Sequence, residues 1–206
     1  MRQSIAILTL AICLIATTAK AQLTTTVFLG INNSTVSLSE NTQEFFDTGS
    51  RTGFFIGVKP SFQISDKFAT SISVQYSQKG FAIESLNNLR YSFAYIDIIP
   101  EINYNITNLL SFGIGVNTGF RVNEGLQSNG INTLSLPNGT LVKQFDFGLT
   151  TNVAVQIKKF SVFARYNYGL INTNELQFTN ENGQPLVGVR QFNRNLQVGL
   201  GYQFNL

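Results

Sequence analysis

The chain has 206 residues, of which 12% are charged, 43% hydrophobic and 12% aromatic, with no His and one Cys. Charge is about half the roughly 25% of an ordinary soluble domain, so polarity rests on Asn, Gln, Ser, Thr and Gly. The missing imidazole excludes Ser-His-Asp and Cys-His hydrolysis and His-ligated zinc chemistry.

Residues 1–21 open with Arg2, continue through an apolar run over 5–16 and close on Ala19, Lys20 and Ala21. This pattern predicts a cleaved secretory signal peptide, with the exported domain over 22–206. The apolar run is shorter than the ~20 residues of a spanning helix. Cys13 lies inside it, so the exported domain is expected to carry neither a disulfide nor a thiol. Removing Arg2 and Lys20 leaves twelve basic against eleven acidic residues. They form no basic patch beyond Lys158 and Lys159, so nucleic acid is not an expected partner.

After residue 21 the recurrent signal is alternation in segments of about ten residues, the period of β-strands. The first segment is 24–33. The second sets Phe54, Ile56, Val58, Pro60 and Phe62 against Phe55, Gly57, Lys59, Ser61 and Gln63. In the third, Phe68, Thr70, Ile72, Val74 and Tyr76 alternate with small polar residues. A fourth covers 91–104. The fifth alternates from Leu110 through Phe112, Ile114 and Val116 to Val122, with Gly, Ser, Asn and Arg121 between. The sixth runs from Phe145 to Ile157, the seventh covers 160–171, and the eighth alternates from Leu196 to Leu206.

Long connections over 34–51, 80–89, 124–142 and 172–190 alternate with short ones at 65–67, 105–109 and 158–159. An even count of strands joined by tight turns at one end and long loops at the other is the layout of an antiparallel up-and-down transmembrane β-barrel. Strands of ~10 residues tilted near 45° cross the ~25 Å apolar band of an outer membrane. A soluble barrel would need charged residues on its outer wall, and the polar face here is too poor in Lys and Glu. Pro60 and Pro100 interrupt strand patterns and are expected at bulges or strand ends near the short-turn rim.

With the apolar face toward lipid, Lys59, Asp97, Glu101, Arg121, Asp146 and Arg165 fall in the lumen. Eight strands enclose only enough space for side chains, so these charges are expected to form a packed ion-pair core. A proton or substrate relay is the functional alternative. Gln197, Gly199, Tyr202 and Phe204 have the spacing of a last-strand signal read by the barrel-assembly machinery. In the first long loop, Phe45 and Phe46 stand among Glu40, Glu44 and Asp47. The pair either folds onto the rim or contacts a partner. The 124–142 loop forms either a hairpin with an exposed sheet edge or a taller wall.

Residues 163–172, FARYNYGLIN, resemble the RY-x-x-GL strand of the PorT-like outer-membrane β-barrel family, and 95–104, YIDIIPEINY, are similar to its Y-L-E-I-P-x-x-x-K-Y segment. The match carries Asp97 and Arg165 onto the family's acidic and Arg positions. Asn103 replaces a usual Lys, and Pro100 falls one residue late. RNLQVGLGYQF at 194–204 is similar to the family's closing strand. The resemblance implies an OmpX-like, eight-stranded all-β barrel in the outer membrane and a namesake role in protein secretion.

These readings converge on a non-enzymatic outer-membrane barrel with no catalytic, metal or cofactor residues. Its expected partners are membrane lipid, the assembly machinery and an envelope or secretion-complex protein. A small-solute porin-like channel and a secretion component are the alternatives.

Overall fold

A computed structural model describes residues 23–39, 48–83, 89–128, 131–134, 142–175 and 189–205. Its strands are β1 (Leu23–Leu38), β2 (Thr48–Gln63), β3 (Phe68–Ile83), β4 (Leu89–Asn105), β5 (Leu110–Ser128), β6 (Ile131–Leu134), β7 (Phe145–Ile157), β8 (Phe160–Gly169) and β9 (Gln191–Asn205). Each barrel strand pairs antiparallel with its chain neighbours. β4 joins β5, and β9 returns to β1 from Leu38↔Gln191 to Thr24↔Asn205. Eight strands thereby close the ring, while β6 is a spur paired to the upper end of β5.

The turns follow from local chemistry. Ser65 accepts hydrogen bonds from the Phe68 amide through its carbonyl (3.2 Å) and its Oγ (3.2 Å). Thr107 Oγ1 accepts from the amides of Leu109 and Leu110. Lys158 turns β7 into β8 at a positive φ of 55°, and its carbonyl accepts from the Gln156 side-chain amide at 2.8 Å.

Side-chain direction shows what surrounds the ring. Ile31 is 62% exposed, Leu200 60% and Phe160 65%, whereas Phe28 and Phe55 point inward at 1%. Large apolar side chains line the outside of every barrel strand, an arrangement stable only where hydrocarbon replaces water.

That polarity reverses toward the long-loop end. On β1, Val27, Leu29 and Ile31 face out, but higher up Val36 and Leu38 face in while Asn33, Thr35 and Ser37 face out. On β3, Phe81 and Ile83 turn inward above the outward Ile72 and Val74. On β4, Tyr91, Phe93 and Tyr95 point in above the outward Ile98 and Ile102. These upper residues join Val142 in one buried cluster. Strands of 16 or 17 residues therefore rise past the apolar belt as a collar with an ordinary water-soluble pattern.

The collar corrects the expected loop boundaries: β1 runs five residues beyond 33, β2 starts at Thr48 and β3 reaches Ile83. β5 extends to Ser128, pairing Arg90↔Gln127 with β4 and Leu126↔Leu134 with β6, so the third loop supplies both a taller wall and a hairpin. The prolines are neither bulges nor ends. Pro60 is aligned with Thr25 and Pro100 with Ile72. Pairing lapses only on the other edge, between Val58↔Val74 and Ser61↔Ser71 and between Ile98↔Thr118 and Glu101↔Gly115, without change of register. A proline lacking an N–H can sit in a strand when only one ladder loses its bond.

The reversal predicts opposite costs for one substitution at two heights. Leu29→Arg, in the belt, should lower unfolding free energy by about 2–4 kcal/mol and Thr35→Arg, on the collar, by no more than about 1 kcal/mol, read by urea unfolding in lipid vesicles.

Candidate functional site

The inward residues stack in layers from the short-turn end upward. The lowest is an open vestibule of about 530 Å3 lined mainly by hydroxyls and amides, including Thr24, Ser61, Gln63, Asn105 and Gln203, with Lys59 among them. Above it Phe28, Phe55 and Phe163 close the bore, with ring centroids 5.7–6.0 Å apart. Three large rings fit because facing positions carry no side chain. A Cβ on Gly199 would lie 2.7 Å from Phe163 Cζ and 2.8 Å from Phe55 Cζ, and one on Gly57 2.7 Å from Phe28 Cζ. The free space beside this plug, bounded by Lys59 and Arg165, is about 10 Å3.

Arg165 rests on the plug, its Cζ 5.5 Å from the Phe163 ring centre and 5.8 Å from that of Phe28. Its Nη2 meets Glu101 Oε2 at 3.1 Å and donates to Ser73 Oγ at 3.2 Å. Its Nη1 donates to Gln75 Oε1 at 3.1 Å and Gln197 Oε1 at 3.5 Å. Asn152 Nδ2 completes the Glu101 carboxylate at 2.6 Å.

A second pair stands above. Lys79 Nζ lies 2.8 Å from Asp97 Oδ1 and 3.7 Å from Asp146 Oδ2. Asp97 Oδ2 also accepts from Ser77 Oγ at 2.6 Å and from Gln75 Nε2 at 3.1 Å. Gln75 is the hinge of the system, donating to Asp97 while accepting from Arg165, so both ion pairs form one hydrogen-bonded network. The Lys79 ammonium lies 4.6 Å from the Tyr95 ring centre.

Of the six expected lumen charges, Asp97, Glu101, Asp146 and Arg165 enter this network. Lys59 lies below it at the vestibule and forms no ion pair among the described residues. Arg121 pairs instead with Glu124 above it. Residues three apart in a strand should face opposite ways, but the register slips between Ala94↔Asn123 and Tyr95↔Arg121, and the extra residue turns both inward. Lys79, which holds two of the carboxylates, is missing from the expected set because the alternation of the third expected segment ends at Tyr76, short of it.

The four residues of the expected assembly signal divide across β9. Gln197 is buried against Arg165 and Gly199 against the plug, while Phe204 is exposed and Tyr202 stacks edge-on between it and Phe160 at 4.8 and 5.1 Å. Phe45 and Phe46 lie outside the described residues.

The network is buried to 3% exposure or less, so a lost partner leaves an uncompensated charge. Asp97→Asn and Glu101→Gln should each cost about 3–5 kcal/mol, read as a lower urea midpoint and earlier loss of the fast-migrating unboiled band on SDS gels. The pair replacement Lys79→Met with Asp97→Leu should recover part of the loss.

The chain matches the family model of the outer membrane protein beta-barrel domain over residues 18–175. No curated protein sequence matches it. Among solved structures it is similar to Neisserial surface protein A, at 14% identity and a TM-score of 0.53 over 87% of this chain and 97% of that one. OprG from Pseudomonas aeruginosa gives 14% identity and a TM-score of 0.50 over 90% and 98%. Ail, the attachment invasion locus protein of Yersinia pestis, gives 15% and 0.47 over 89% and 99%. A closed eight-stranded ring, an apolar outer belt and a family model spanning most of the chain agree: this protein belongs to the outer membrane protein beta-barrel domain family and resides in the outer membrane.

Proposed function

We propose that the protein is a non-enzymatic surface barrel whose wall is a rigid mount for its loops, not a conduit for solutes. The observation that carries this reading is the filled bore: the space beside the Phe28, Phe55 and Phe163 plug is about 10 Å3, the scale of one water probe. Eight strands leave little room for anything else. A lumen spent on side-chain packing stiffens the wall, and on such scaffolds the loops carry the contacts.

In this reading the signal peptide over 1–21 directs export, the barrel-assembly machinery reads β9 through Gln197, Gly199, Tyr202 and Phe204, and lipid covers the belt. The loop carrying Phe45 and Phe46 supplies contacts with an envelope or secretion-complex protein. The porin-like alternative requires an open path, which the plug opposes.

Two measurements separate the readings. In planar bilayers the purified barrel should leave membranes sealed at high protein density; single-channel steps would replace the mount by a pore. Crosslinking a loop-tagged chain in intact outer membrane should recover a near-stoichiometric partner that is lost when residues 40–47 are deleted. Recovery unchanged by the deletion would remove Phe45 and Phe46 from the interface.

A further inference from the structure

The charges of the lumen are unevenly matched along its height. Lys79 holds two carboxylates, Asp97 and Asp146, while Arg165 holds Glu101. Lys59 forms no ion pair among the described residues, and it borders both the vestibule and the narrow gap beside the plug. The unmatched positive charge therefore stands at the inner end of the cavity.

At about 530 Å3 the vestibule has the size of a small-molecule site. The aromatic plug closes it above, and Asp66, Lys67, Thr107 and Asn108 of the short turns form its mouth. The short turns of such barrels face the periplasm. They carry Lys67, Lys158 and Lys159 against the single acid Asp66. An anion arriving from that side meets an attractive field from the mouth inward to Lys59.

The rim narrows the choice of anion. Gln156 Nε2 donates to the Lys158 carbonyl at 2.8 Å, Asn105 Nδ2 to the Asp66 carbonyl at 3.2 Å, and Gln63 Nε2 to the Ser65 carbonyl. Each amide spends an N–H on a turn and keeps its carbonyl oxygen to accept from a guest. The complementary guest carries a carboxylate for Lys59 and N–H donors for the rim, and the C-terminal end of a peptide has both. Phosphate has no N–H and brings up to two negative charges to one ammonium, beside a guanidinium already matched by Glu101. A nucleotide base finds no aromatic ring in the lining to stack on.

We propose that the vestibule is a periplasm-facing site for the C-terminal carboxylate of a short peptide, with Lys59 as counter-charge and Gln63, Asn105 and Gln156 accepting the peptide N–H groups. The site lies at the opposite end of the barrel from the long loops, so the molecule makes separate contacts on its two sides.

The test titrates acetyl-trialanine, which has a free carboxylate, into the isotope-labelled barrel in lipid nanodiscs. The side-chain amide resonances of Gln63, Asn105 and Gln156 should shift saturably, while those of Asn167 and Asn195, buried above the plug, stay fixed. Rim amides that do not shift saturably, or equal shifts above the plug, would overturn the proposal. The same peptide capped as a carboxamide should bind at least about tenfold more weakly, because the charge that meets Lys59 is gone; equal affinity would remove the carboxylate from the site. Inorganic phosphate and glucuronate, anions without N–H donors, should compete far less well than the peptide, and competition on a par would overturn the choice of a peptide. Lys59→Met breaks no ion pair among the described residues and should weaken binding about tenfold while the fast-migrating unboiled band persists. Unchanged affinity in that variant would overturn the role of Lys59. If the variant fails to fold, the free and capped peptides on the unsubstituted barrel decide the question.

Discussion

Every peptide group inside hydrocarbon must find its hydrogen bond within the protein, and this requirement governs the whole molecule. A sheet with two free edges cannot meet it, so β9 has to return to β1. The closing seam is correspondingly long, from Leu38↔Gln191 down to Thr24↔Asn205. Gln197 and Gly199 on β9 face the packed interior while Tyr202 and Phe204 face outward near the short-turn end. The strand that seals the ring thus also contributes to its filling and its belt.

Closure with eight strands fixes a small bore, and the contents of the bore follow from its size. The rings placed side by side leave only about 10 Å3 of free space beside them, and the charge held above them is neutralised on the spot. Arg165 does this three ways, through Glu101, through neutral acceptors and through the faces of Phe28 and Phe163. The aromatic and ionic layers depend on one another: the rings keep solvent from the salt bridge, and the guanidinium gives the rings a polar ceiling.

The belt was legible from residues alone, because period-two alternation has one reading when one side meets lipid. So was the lumen identity of Asp97, Glu101, Asp146 and Arg165, since a fixed parity carries each of them inward. Two physical effects hid the rest. Above the belt the outer solvent becomes water and the apolar parity changes sides, so Val36 and Phe81 no longer continue the pattern below and their segments read as loop; Lys79 stands at the same break, between the expected third strand and that loop. Then a single extra residue near Val122 reverses facing direction, which the spacing of Arg121 and Glu124 cannot reveal without the partner strand. Pro60 and Pro100 misled in the opposite sense, because a sequence does not say which of two ladders a missing N–H would have served.

The collar also determines where the barrel meets the outside world. Six residues of strand above the belt, at 3.3 Å per residue and a tilt near 45°, lift the loop roots by about 14 Å. That standoff exceeds the thickness of a headgroup layer, so the loops start clear of the lipid surface. Their footings stay at fixed spacing because Tyr91 and Phe81 stack at 4.6 Å inside the same ring. The collar therefore works as a pedestal: loop sequence can change freely in length and composition while the geometry from which it springs stays the same.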